Sequence, residues 1–317
     1  MRSIAGCPVH VVGNVPLGQA APGRLGAWVS EVGDLVAAVP DSGPCAGSRS
    51  GAVGPPPPGG PRPVDLGYAS EAARSYRRLR TVRDSGLLPR TVRLQVNLPT
   101  PATGVARFVR DPARRAAARP LFEHALLREL DRIVAAVPAE DLSIQWNVRE
   151  EVVAIEAGSS GDSESGTAWD DYLVTLRRLS RFIPHDALVG YHFCYRNGTG
   201  QTDTEPADLA TTVRMANAAV DQTPRNTDFF HMAVPASRAD DAYFAPLAEL
   251  ERSDARLFFG LVHDTDGAAG ASQRIAAARR RVADFGISTS CGLGDRTAGR
   301  VAMLFHIQRE VLSVLGS

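Results

Sequence analysis

Lysine is absent from the 317-residue chain, so all 35 of its basic residues are arginine. That absence excludes chemistry built on a titratable amine: Schiff-base aldolases, pyridoxal enzymes with an internal aldimine, and P-loop nucleotide hydrolases. Arginine stays protonated at any working pH and can hold anions, but it is a poor proton shuttle. An excess of either charge is also lacking, because 35 acidic residues balance the arginines. Without a net basic field, neither nucleic acid nor an anionic membrane is the expected partner, and small molecules fit better. No run of about 18 apolar residues occurs, and residues 1–13 lack a charged region followed by a long apolar one. A cytoplasmic location is therefore expected. Cysteine is scarce as well: Cys7, Cys45, Cys194 and Cys291 are too few and too far apart for a disulfide framework. Roles as metal ligand or nucleophile stay open for them.

What is present is an alternation of short β-branched runs with amphipathic, Ala/Arg/Leu-rich stretches. Strands are expected at residues 9–13, 35–39, 92–98, 142–146, 188–195, 228–232, 257–263 and 286–291. Helices are expected at 24–32, 70–84, 120–137, 170–182, 207–221, 240–250, 271–284 and 296–315. In the 120–137 segment, Leu121, Phe122, Ala125, Leu126, Leu130, Ile133 and Val134 recur at helical spacing and form one apolar stripe. Eight strands alternating with helices over this length predict an α/β fold, a single-domain (β/α)8 TIM-type barrel spanning 1–317 with long βα loops. An open doubly wound sheet is the competing architecture. Residues 40–65 hold too much Pro, Gly and Ser for helix or ladder and read as a loop insertion after the second strand. Residues 158–167 form a second polar linker, and in a barrel both would emerge on the active-site rim.

Polar residues gather at the ends of the expected strands. Gln95 and Asn97 close the third, Gln145 and Asn147 the fourth, His192 and Cys194 the fifth, His231 the sixth, His263 the seventh and Cys291 the eighth. Strand ends and βα loops share one face of a barrel, so this distribution is that of an active site. Packing explains one such residue better than six strands of them. Within His192-Phe193-Cys194, residues i and i+2 point the same way, so imidazole and thiol can hold one ion in adjacent positions. Cys291 can add a second thiolate, and N and S donors of this kind select zinc over magnesium or calcium. His192 or Cys194 taken alone reads more simply as a core residue; the three together read as a metal site. Asn97, Gln145 and Asn147 are candidate substrate-binding amides. Arg296 is the candidate arginine for a substrate anion. His10, Glu150 and Glu151 read more simply as structural or solvated.

The segments HVVGNVP, YHFCY, DGAAGASQRI and FGISTSCGLGDR together resemble the cobalamin-independent methionine synthase and uroporphyrinogen decarboxylase superfamily. The likeness is specifically to single-barrel proteins related to the catalytic C-terminal half of that synthase, and it runs from about His10 to the final helix. It implies a TIM-type barrel in which His192, Cys194 and Cys291 hold zinc and the metal activates a substrate thiol for methyl or alkyl transfer. The family's seventh-strand histidine, a proton donor to the leaving group, falls on His263, with Asp264 or Asp266 near enough to orient it. The family's fourth ligand is a glutamate after the sixth strand. Here TDFFHMAVP offers only Asp228, so His231 or water is the expected substitute, and His231 is also a candidate catalytic residue beside His263. The second βα loop departs from the family pattern, and one barrel's length lacks the partner barrel that helps bind polyglutamyl folate. A different alkyl donor and thiol are therefore expected. Other chemistry at the same metal, of lyase or decarboxylase type, and a degenerate ligand-binding barrel are the alternatives.

Overall fold

A computed structural model describes residues 65–109, 111–158, 165–196, 204–251, 254–293 and 296–315. The strands expected at 9–13 and 35–39, the helix at 24–32, His10, Cys7, Cys45 and nearly all of the 40–65 insertion lie outside the described residues. So does the middle of the 158–167 linker.

The remaining six expected strands are all present. They are β1 (Leu94–Pro99), β2 (Leu142–Val148), β3 (Leu188–Phe193), β4 (Phe229–Ala233), β5 (Arg256–Val262) and β6 (Gly286–Thr289). They form one parallel sheet in the order β1-β2-β3-β4-β5-β6. A doubly wound sheet reverses its strand order at a switch point, and these six strands contain no reversal. An α/β architecture with a six-stranded parallel sheet is thus established.

Helices fill the crossovers: α1 (Tyr68–Asp84) precedes β1, and α2 (Pro101–Phe108) and α3 (Pro112–Ala136) join β1 to β2. Next come α4 (Glu150–Gly158) and α5 (Ser165–Leu179), α6 (Ala210–Gln222), the short α7 (Asp241–Phe244), α8 (Gly267–Arg279) and the C-terminal α9 (Ala298–Leu315). Two of these, α2 and α4, are absent from the sequence expectation. Thr100 caps α2 by accepting from the Thr103 amide, and Pro101 takes the first helical position, where a missing N–H costs nothing. The helix expected to start at Pro120 starts at Pro112 and runs through that proline. The one expected over 240–250 is a single α turn followed by 3-10 backbone from Ala245 to Glu249, with Pro246 supplying no N–H for a longer ladder. None of the described helices is long and apolar enough to cross a membrane.

Strand alternation divides the sheet into two unlike faces. Leu94, Val96, Ile144, Trp146, Val189, Tyr191, Phe193, Phe230, Met232, Phe259 and Leu261 belong to one buried cluster with helix residues such as Phe122, Tyr172, Val213, Ile275 and Leu304. Each large aromatic there removes roughly 150–250 Å² from water, which makes this layer the main source of stability. The register places Gln95, Asn97, Ser143, Gln145, Asn147, Gly190, His192, Phe229, His231 and Phe258 on the opposite face. Glycine makes room on it: a Cβ on Gly190 would meet the Phe229 ring at 2.4 Å, and one on Gly286 would meet the Phe258 ring at 2.3 Å. Those two rings pack edge to face, with centroids 6.1 Å apart.

Candidate metal centre

Two tiers of the polar face lie just below the C-terminal strand ends. Asn97, Gln145, Gly190 and Phe229 share one level, and Pro99, Asn147, His192, His231 and Phe258 share the next. Above them the chain leaves β3 at Cys194, whose amide still donates to the Val148 carbonyl at 3.2 Å and so holds the residue beside β2.

Cys291 arrives from the far edge of the sheet. Pairing between β5 and β6 shifts register between Gly260 and Val262. A Cβ on Gly260 would lie 2.5 Å from Ser290 Cα and 3.0 Å from the Thr289 carbonyl oxygen. Only glycine at 260 lets the end of β6 approach this closely. The Thr289 hydroxyl then donates to the Cys291 carbonyl at 2.8 Å, tightening the turn that carries the thiol.

The result is convergence. The donor atoms of His192, Cys194 and Cys291 all lie within 4.8 Å of one another, and the two sulfurs are 3.0 Å apart. His192 is almost fully buried, and its Nδ1 lies 3.3 Å from the His231 carbonyl oxygen. A carbonyl can only accept, so Nδ1 carries the proton and Nε2 presents a lone pair. That Nε2 is buried and has no hydrogen-bond partner. An orphaned imidazole lone pair beside two thiols, with its tautomer fixed from behind by a backbone carbonyl, is the donor set of a soft-metal site. These residues fit a zinc ion by chemistry, though the same set accepts other thiophilic metals. Electrostatics agree: the thiol–thiol hydrogen bond to Cys194 holds the Cys291 thiol well below its usual range against burial. The same bond and its own burial push Cys194 up.

The other expected site residues take different places. His231 stacks on His192 with ring centroids 4.3 Å apart, and its Nε2 donates to the Thr289 carbonyl at 3.1 Å, so it braces β6. Burial, with His192 adjacent, keeps it neutral by lowering its pKa well below the usual value. Asp228 is excluded as a fourth ligand. Its carboxylate accepts from the Val189 amide at the start of β3, five residues and roughly 16 Å of strand from Cys194. His263 follows β5 and donates from Nε2 to the Val234 carbonyl at 2.9 Å, so one of its two ring nitrogens is taken up by backbone. Burial and then Arg274 lower its pKa. Arg296 pairs with Asp264 at 3.3 Å, a carboxylate shared with Arg300, although its buried Nε has no partner. Gln95 donates to Asn97 at 2.9 Å, and both are buried, as are Gln145 and Asn147.

Glu151, expected to be solvated, is only 4% exposed and accepts from the Thr103 hydroxyl at 3.1 Å. Desolvation raises its pKa. Its neighbour Glu150 is held by Arg149 and by Arg115, 3.6 Å away. Two contributors to the site carry no chemical groups of the usual kind and escape a motif search: Gly260, which admits β6, and the Thr289 carbonyl. The register shift that makes Gly260 informative is visible only in three dimensions. Compared with protein-family models and with curated proteins, the chain matches none.

Proposed function

We propose that this protein is a zinc-dependent enzyme that transfers a methyl or alkyl group to a metal-bound thiol. The observation that carries the reading is the convergence of His192 Nε2, Cys194 Sγ and Cys291 Sγ within 4.8 Å, with the imidazole nitrogen buried and unpartnered. In this reading the segments at 9–13 and 35–39 complete an eight-stranded barrel around the polar face. The site then lies at the C-terminal strand ends, where barrel enzymes keep their chemistry.

When bound, zinc supplies Lewis acidity that lowers the pKa of a coordinated thiol, giving a thiolate nucleophile at neutral pH with no amine base. His192 is oriented for ligation by its Nδ1 bond to the His231 carbonyl. His231, neutral and tied to Thr289, keeps the two edges of the site in register. Asn97, Gln145 and Asn147 line the polar face and orient the substrate through neutral hydrogen bonds. His263 takes the proton-transfer role at Nδ1, the nitrogen left free by the Val234 carbonyl. With its pKa lowered it rests neutral, so Nδ1 accepts a proton before it can return one to a leaving group. Arg296, already balanced by Asp264, offers Nε to an anionic part of the substrate. Polyglutamyl folate is not the proposed donor.

Zinc-edge absorption spectra of the metal-loaded protein with candidate thiols test the reading. An added sulfur ligand is expected; absence of one with every thiol would leave metal-dependent lyase chemistry as the better account. A purified chain that takes up no metal would instead indicate a ligand-binding barrel.

A further inference from the structure

Arg274, on α8, is only 1% exposed. Taking a guanidinium out of water is costly, and an apolar residue of similar volume usually serves stability as well as a buried ion pair does. What Arg274 does instead is reach three separate segments. Its Nε donates to the Leu261 carbonyl at 2.9 Å and Nη1 to the Ala236 carbonyl at 2.7 Å, while Nη1 and Nη2 hold the two Asp266 oxygens at 2.6 and 2.9 Å. Asp266 gives something up for this pair. It stands at the N-cap position of α8, where an aspartate ordinarily accepts from a first-turn amide, and makes no such bond. Asp266, Gly270 and Arg274 follow at a spacing of four, on one helix face. The glycine leaves the gap in which carboxylate and guanidinium meet, since a Cβ there would lie 2.0 Å from Asp266 Oδ2.

The segments so joined are the two that frame His263. Leu261 lies two residues before it on β5, and Ala236 lies two residues after Val234, whose carbonyl accepts the His263 Nε2–H at 2.9 Å. That hydrogen bond forms across the exits of β4 and β5, and Arg274 ties those exits together. We infer that Arg274 is the positioning residue for His263: its fork holds the two strand exits at the spacing that keeps Nε2 on Val234 and leaves Nδ1 as the nitrogen that exchanges a proton. Lysine could not do this, because an ammonium has no planar fork to hold two carbonyls and a carboxylate together. The inference rests on the reading of His263 as the proton-transfer group.

The test reads the histidine tautomer directly. The full chain, labelled with nitrogen-15 at histidine, is compared with its variants by NMR at a pH where the ring is neutral, with and without zinc, and His263→Gln identifies the His263 signals by their loss. Wild type is expected to show His263 as the Nε2–H form. In Arg274→Lys, which keeps the charge and loses the fork, the ratio of Nε2–H to Nδ1–H should fall roughly fivefold or more, about one hydrogen bond's worth. Arg274→Met should do the same, and Gly270→Ala, which crowds Asp266, should move the ratio the same way by less. His231, bonded to Thr289 on another edge, should stay in its Nε2–H form throughout. If Arg274→Met does not fold, Arg274→Lys and Gly270→Ala carry the test. An unchanged His263 tautomer in the folded Arg274 variants would overturn the inference and leave Arg274 a purely structural clamp. A change in Arg274→Met alone would overturn it in favour of a charge effect. The measurement needs neither metal nor thiol, so a chain that forms no metal–thiol bond would undo the transfer reading without deciding this one.

Discussion

The sulfurs of Cys194 and Cys291 lie 3.0 Å apart although 97 residues separate them in the chain. Neither occupies a loop free to adjust. Cys194 is pinned to β2 through its amide, and Cys291 is delivered by a turn that crosses over Gly260. A pair brought together this rigidly has consequences for redox chemistry, stability and metal content.

In metal-free protein the two thiols are close enough to join with little backbone movement. Hydrogen peroxide is expected to oxidise them to one intramolecular disulfide, two S–H groups and one peroxide giving S–S and two waters. Peptide mapping should find the Cys194 and Cys291 peptides linked, and bound metal should slow the reaction by occupying both sulfurs. Oxidation of each cysteine to separate sulfinic acids, with no linked peptide, would contradict the distance.

Gly260 is the test of how Cys291 is positioned. Gly260→Val places a side chain where Ser290 Cα lies 2.5 Å from an ideal Cβ. Because backbone must yield, the variant is expected to lose about 1–3 kcal/mol of stability, read by chemical denaturation. It should also bind metal more weakly, whereas Gly299→Ala, with nothing within 4 Å of the added Cβ, should leave metal affinity unchanged.

Much of the fold is legible in the residues, because six runs such as LQVNLP, LSIQWNV and RLFFGLV combine β-propensity with turn residues at their ends. Alternation also exposes the polar face, since Gln95, Asn97, Gln145 and Asn147 recur at period two. What is not legible is long-range geometry. A histidine at a strand end looks equally available whether it ligates, as His192 is placed to do, or is satisfied by a backbone carbonyl, as His231 and His263 are. Helix α4 escapes pattern reading because EEVVAIEAG has no clear apolar stripe. Glu151 looks solvated for a related reason: its burial comes from packing beside Thr103 of a different crossover.

Glu151 gives a pH dependence with a definite sign. Its folded pKa is raised by desolvation above the unfolded value of about 4.3, so the folded state holds the proton more tightly. The unfolded state therefore binds fewer protons in that window, and this group's contribution to stability falls as pH rises from about 4.3 through its raised folded value. Glu151→Gln should remove that component, making the protein relatively more stable at pH 7 than at pH 4 when compared with wild type in urea denaturation. An unchanged pH slope would show that Glu151 titrates normally.

Metal stoichiometry tests the central claim most directly. Protein purified under reducing conditions and loaded with zinc should retain about one ion per chain after desalting. Cys291→Ser, Cys194→Ser and His192→Ala should each cut retention at least tenfold, removing about 1.4 kcal/mol or more of binding energy. His231→Phe, which keeps the ring stack but not the Thr289 bond, should lower affinity less. Full zinc retention by Cys291→Ser, or no stoichiometric zinc in the wild type, would contradict the account.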